Sequence, residues 1–205
     1  MASPVSKATR VHLLRHGQVE GFEEKRYNGQ ADTPLTALGR RQSAGFAGRF
    51  QYLRLAGIYS SDLYRCRFAA DQIALFQQVR PIYLASLREL CAGDWEGVPW
   101  AVLQREAAVR WQARLEDIVH VAPPGGESFM DLARRIRPVL EQIISSHRGD
   151  EIVIVSHGGV NRLILLDALG APLENLFRLE QDYACHNIID YYADGRTSVS
   201  LLNGR

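Results

Sequence analysis

Two short apolar runs constrain this chain more than any other feature. Val11-His12-Leu13-Leu14 stops at Arg15-His16-Gly17, and Ile152-Val153-Ile154-Val155 stops at Ser156-His157-Gly158-Gly159. Apolar runs of about four residues that end at glycine read as strands buried on both faces. Such strands belong to a parallel or mixed sheet covered by helices. The pair therefore predicts an α/β fold that delivers two imidazoles to one edge of a sheet.

The segments between and around them alternate in type. Thr36 can cap a helix whose Phe46, Phe50 and Leu53 fall at i, i+4 and i+7. A second strand is predicted near Gly57-Ile58-Tyr59, then a helix opening at Ser60-Ser61-Asp62 and running to about Phe76, then a third strand over Pro81–Leu84. The stretch from Gly97 to His120 reads as helical in parts. Ser128 can cap a long helix with Phe129, Leu132, Ile136, Leu140 and Ile143 on one stripe, Arg134, Arg135 and Arg137 off it, and a kink at Pro138. After the strand Ile152–Val155 come a helix over Val160–Leu169 and a last pair of strands, Asn187–Tyr192 and Thr197–Leu202, turned at Asp194-Gly195. This order predicts a three-layer α/β sandwich, with a mostly parallel central sheet, helices on both faces and an antiparallel edge strand. Ligands of such sheets bind beyond the carboxyl ends of the strands, where His16 and His157 stand.

Composition narrows the partners. Lys plus Arg number 24 against 23 Asp plus Glu, so no overall positive field argues for nucleic acid or an anionic membrane surface. The longest apolar stretch, Leu163–Leu166, is far below the roughly 20 residues of a spanning helix. The first residues lack the apolar core of a signal peptide, so residues 1–9 read as a loose lead-in and the expected location is cytoplasmic. Cys66, Cys91 and Cys185 show no CxxC spacing and read as reduced thiols. Without a linker-like or repetitive segment, residues 1–205 are expected to form one domain. Oligomeric state stays open between monomer and homodimer.

Five motifs gather the chemistry: Leu14-Arg15-His16-Gly17; Asp32-Thr33-Pro34-Leu35-Thr36; Ser60-Ser61-Asp62-Leu63-Tyr64-Arg65; Leu87-Arg88-Glu89-Leu90 with Gly93-Asp94-Trp95-Glu96-Gly97; and Val155-Ser156-His157-Gly158-Gly159. In this order, from about residue 11 to 190, they resemble the histidine phosphatase superfamily, the phosphoglycerate-mutase-like family. The resemblance implies that His16 attacks a phosphate monoester to form a phosphohistidine. It also implies that Arg15, Arg65 and His157 surround the phosphate oxygens and that Glu89 is the proton donor and acceptor. The residue types agree: an unprotonated imidazole is a competent nucleophile, and guanidinium forks match phosphate oxygens. Asn28, Gly29 and Gly158 are further candidate phosphate contacts, the last through free N–H groups where the glycines open a helix. Glu96 reads as part of an architectural turn.

No cofactor is implied. His16 and His157 could ligate zinc with a carboxylate, but neighbouring arginines oppose a cation, so no metal is expected. The expected partner is a small phosphorylated metabolite. Phosphatase and mutase readings are separated by the cap after Glu89. There the mutase pattern places an aromatic, a lysine and an arginine pair, whereas this chain has Ala92, Trp100 and Trp111-Gln112-Ala113. Arg105, Arg110 and Arg114 could serve from another register, which leaves mutase chemistry as the alternative. A phosphate-binding protein without turnover is the alternative of another class. Gln18, Phe22 and Cys66 depart from the family pattern, and Phe22, Trp100 and Tyr27 either make the pocket mouth apolar or simply pack together.

Overall fold

A computed structural model describes residues 7–205. Thr9–Arg15 forms β1, Gly57–Ser61 β2, Ile82–Leu84 β3, Glu151–Ser156 β4, His186–Tyr191 β5 and Thr197–Gly204 β6. They make one sheet in the order β3-β2-β4-β1-β5-β6. The first four of these are mutually parallel, and β5 and β6 run antiparallel at one side. The predicted antiparallel edge is thus two strands wide.

Helices α1 (Ala37–Phe50) and α2 (Tyr64–Ala74) cover one face, burying Phe46, Phe50, Cys66 and Ile73 against Leu14, Val153 and Val155. On the other face α5 (Phe129–Ser146) and α6 (Gly158–Leu169) bury Leu132, Ile136, Leu163 and Ile164 against Val11, Leu13 and Ile154. Each fully buried Leu or Ile contributes roughly 1.5–3 kcal/mol, which makes these two layers the bulk of the driving force. Between them in sequence, α3 (Trp100–Glu106) and α4 (Ala108–Glu116) form a cap with its own cluster of Trp95, Leu103 and Trp111.

Local signals set the helix starts. Thr36 Oγ1 accepts the Gly39 N–H at 2.9 Å, and Ser128 closes a reciprocal capping box with Asp131. A Cβ on Gly39 would run into the Gln18 carbonyl, so the loop after His16 can lie directly on the first turn of α1. Helix α5 continues through Pro138 as one element of 18 residues.

Three boundaries differ from the sequence reading. Thr9 is no lead-in: it starts β1, is buried, and its hydroxyl donates to the His147 carbonyl at 3.0 Å and accepts the Gly149 N–H. Residues 1–6 lie outside the described residues. Ser60 and Ser61 end β2 instead of opening a helix, because pairing with β3 and β4 claims their backbone. The α2 start is capped from another segment, Asp32 accepting the Tyr64 N–H at 2.8 Å. That helix ends at Ala74, two residues before Phe76. Among the described residues no helix is long and apolar enough to cross a membrane.

Candidate active site

The β1–β4 register pairs Arg15 with Ser156, so the next residues, His16 and His157, leave the sheet side by side. Their ring centroids are 5.1 Å apart. Both are buried, His16 at 5% exposure and His157 at 0%. Burial, followed by the fields of Arg65 and Arg15, holds the His16 imidazolium form well below the usual histidine range. His16 Nδ1 lies 2.8 Å from the Gly17 carbonyl, which can only accept. The proton therefore sits on Nδ1, and Nε2 carries a free lone pair.

His157 is also kept neutral, first by burial and then by Arg65, His16 and Arg15. Its Nδ1 accepts from Arg65 Nε at 3.3 Å, which places the proton on Nε2, 2.9 Å from Ser61 Oγ. The structure thus provides a neutral ring here with both nitrogens engaged, not a positive charge.

Arg65, 1% exposed on the first turn of α2, is fixed by the loop after β1. Its Nη1 donates to the Ala31 carbonyl at 2.6 Å and its Nη2 to the Gly29 carbonyl at 2.7 Å. Gly29 accordingly orients Arg65 through its carbonyl, with Asn28 half-buried beside it. Arg15 is held by Nη1 on the Gln181 carbonyl and by the Tyr183 ring, 4.0 Å from the guanidinium carbon.

Glu89 follows the turn after β3. Its carboxylate accepts the Leu90 N–H and the Gly159 N–H, each at 2.9 Å. This corrects the expectation of free N–H groups at the glycines, since one of them already holds Glu89. A Cβ on Gly159 would land on that carboxylate, so the close approach needs a glycine. Arg88 pairs with Asp62 through two 2.6 Å bonds and leaves Glu89 alone. Glu96 is architectural, as read, accepting the Gln30 N–H at 2.8 Å and the Ala92 N–H at 3.2 Å.

Sequence reasoning missed several supporting groups. Arg135 forks onto Glu127 at 2.8 and 2.7 Å and donates to the carbonyls of Ser86, Arg88 and Glu89, so it fixes the backbone that carries Glu89. Only its place on the helix edge nearest Glu127 could have signalled this. Arg162 on α6 lies against Gly158, with Nε donating to the Leu179 carbonyl at 2.8 Å. Gln181 and Tyr183 gave no motif at all.

In the cap, Tyr27 lies 5.5 Å from Trp100 and 6.2 Å from Trp111 between ring centroids, which is the packing alternative. Phe22 alone of the three expected mouth aromatics is exposed, at 44%. Arg105 pairs with Glu106 on the surface, and Arg114 is buried with Nη1 on the Val121 carbonyl. Neither reaches out as a clamp for a second anionic group, while Arg110, the third candidate, is exposed on α4.

The family model described as "Histidine phosphatase superfamily (branch 1)" matches residues 11–204. A Mycobacterium tuberculosis "bifunctional protein" is 37% identical over 202 residues, 95% of this chain and 54% of that protein, so the chain spans about half of this relative's length. A "metal-independent phosphoserine phosphatase" of Arabidopsis thaliana is 34% identical over 168 residues, covering 78% of this chain and 69% of its own. A "probable phosphoglycerate mutase" of Shigella boydii is also 34% identical, over 88% of this chain and 84% of that one. Among solved structures, a putative alpha-ribazole-5'-P phosphatase from Escherichia coli superposes with a TM-score of 0.89 at 28% identity, over 97% of this chain and 98% of the other.

Proposed function

The chain belongs to the histidine phosphatase superfamily, and from that premise we propose that it is a metal-independent phosphomonoesterase acting through a phosphohistidine on a small organic phosphate. The observation that carries this reading is the free, unprotonated Nε2 of a buried His16 set between two arginines.

In the first step the Nε2 lone pair attacks phosphorus, the ester P–O bond breaks in line, and the leaving oxygen takes a proton from the Glu89 carboxyl. In the second step the Glu89 carboxylate removes a proton from water, the water oxygen attacks phosphorus, and the N–P bond breaks to return the lone pair to His16. Arg15 and Arg65 meet the charge on the equatorial oxygens, and His157, its N–H engaged by Ser61 Oγ, accepts from Arg65 Nε and steadies that guanidinium. Positioning and fixed charge of this kind supply most of the catalysis in phosphoryl transfer.

The cap favours hydrolysis over mutase chemistry. A mutase must grip a second anionic group and keep water from the phosphohistidine, and the burial of Arg114 and the pairing of Arg105 speak against such a grip. The names of the relatives span phosphoserine and alpha-ribazole-5'-P phosphatases, so membership of the family does not by itself fix the leaving group.

Rapid quench of enzyme mixed with p-nitrophenyl phosphate should trap an acid-labile, alkali-stable phosphoprotein that is absent in His16→Ala. Inactivation by chelators would overturn the metal-independent reading. Isomerisation of phosphoglycerate without phosphate release would favour the mutase, and no turnover of any phosphomonoester in a broad screen would favour a binding protein.

A further inference from the structure

Arg15 is held in an unusual way for a cation at an anion site. Its Nη1 donates to the Gln181 carbonyl, its guanidinium lies 4.0 Å over the Tyr183 ring, and its Nε is buried without a protein partner. The carboxylate closest in sequence to that ring, Asp182, is instead paired with Arg205 at 2.8 Å. Arg162 brings a second positive charge close by, since a Cβ on Gly158 would meet Arg162 Nη1 at 3.3 Å and the Arg15 guanidinium at 3.5 Å.

The segment carrying Tyr183 is built to stay in place. The Ala184 N–H donates to the His16 carbonyl and the Arg15 N–H donates to the Cys185 carbonyl, each at 3.0 Å. Gln181, 2% exposed, donates to Asn187 at 2.8 Å, and Asn187 donates to the Leu13 carbonyl at 3.1 Å. Ala184 adopts φ +58°, a left-handed conformation that alanine rarely takes, so the surrounding bonds impose this turn. The turn also sets the Tyr183 ring 5.7 Å from that of His16.

A carboxylate could orient Arg15 equally well, but it would cancel the charge that a phosphate dianion needs. The face of an aromatic ring attracts a guanidinium through its quadrupole and leaves the net charge intact. We infer that Tyr183 is a positioning residue for Arg15, holding the guanidinium at the phosphate site without neutralising it. This rests on the phosphatase reading above, and the test separates the two.

Steady-state kinetics with p-nitrophenyl phosphate and inhibition by inorganic phosphate are measured for wild type, Tyr183→Leu and Tyr183→Phe. Tyr183→Leu should lower kcat/KM by about 10- to 100-fold and weaken phosphate inhibition several-fold. Tyr183→Phe, which keeps the ring, should recover most of both. Because Arg15, with Arg65 and burial, keeps His16 unprotonated, the acid limb of kcat/KM should also move to higher pH in Tyr183→Leu. In the Arg15→Ala background Tyr183→Leu should leave the acid limb unmoved, which separates loss of the Arg15 field from exposure of the His16 ring that Tyr183 neighbours.

In an Arg15→Ala background, Tyr183→Leu should add little further loss, since the ring then has no cation to hold. Equal kinetics for wild type and Tyr183→Leu would overturn the inference, as would a full additional loss in the Arg15→Ala background. Should Tyr183→Leu fail to fold, Tyr183→Gln gives the same comparison. If wild type forms no phosphohistidine, the phosphatase reading falls, whereas calorimetric titration of wild type and Tyr183→Leu with inorganic phosphate still decides the role of Tyr183.

Discussion

Strand β1 carries one buried histidine and delivers a second just past its end, each meets another histidine, and the pairs have opposite characters. At the end of β1, His16 faces His157 with ring centroids 5.1 Å apart; four residues earlier, His12 faces His186 at 5.0 Å. Burial is the largest influence in both pairs and keeps all four rings neutral. The difference lies in their partners. His12 has both nitrogens engaged, Nε2 with Glu151 at 2.7 Å and Nδ1 with His186 at 2.8 Å, and Phe50 packs edge-on against its ring. His16 has one nitrogen engaged, arginines in place of a glutamate, and a position beyond the strand end. Desolvation alone therefore makes a neutral histidine; in the mechanism proposed above, the unengaged lone pair beside fixed positive charge is what suits His16, and not His12, to act as nucleophile.

The sharpest way to break this comparison is to remove each ring. His16→Ala should lower kcat by ~10³-fold or more with a small change in melting temperature, since a covalent route has no substitute. Glu89→Gln should follow at about 10²- to 10⁴-fold, the usual range for a general acid–base group. Arg65→Lys should lose about 10²-fold in kcat/KM, because an ammonium cannot reproduce the fork that reaches both loop carbonyls. For all three, the readout is stopped-flow or steady-state release of p-nitrophenol.

The second pair should respond in stability. His12→Ala should leave kcat near wild type and cost about 1–3 kcal/mol in urea unfolding, the penalty of leaving His186 and Glu151 without their shared partner. If instead His12→Ala abolished turnover at unchanged stability, the division between the two pairs would be wrong.

The smallest expected effect is in pH. All four folded-state values are depressed, so the neutral rings contribute stability above the ordinary histidine value of 6.5 and lose it as pH falls below that. For His186 the window runs down to about 4. Melting temperature should fall through this range, and His186→Gln should flatten the fall. The acid limb of kcat/KM, set by His16, should stay where it is in that variant.

How much of this was legible depended on distance along the chain. Thr36 and Ser128 were readable as caps because their partners lie three residues away. The same local rule failed at Ser60 and Ser61, where strands β3 and β4 claim residues that in isolation look like a helix start. His16, Arg65, Glu89 and His157 were readable through co-linear motifs. Arg135 is one of three arginines off the apolar stripe, and only its place on the edge nearest Glu127 distinguishes it from Arg134, which pairs with Asp131 on the surface. Tyr183 and Gln181, in an irregular turn, were invisible because their partner, Arg15, lies more than 160 residues earlier at the end of β1.

The adjacency of β1 and β4 has a temporal consequence. During synthesis, His16 leaves the ribosome early and stays without its neighbour until the strand ending at Ser156 has emerged. Until that long loop closes, there is no paired imidazole edge and no catalytic pocket, however much of α1 and α2 has formed. Closing so distant a pairing is entropically slow. Recovery of turnover after dilution from denaturant should therefore time the docking of the centre of the sheet, lagging the return of helical signal, and the enzyme carries a built-in clock for its own assembly.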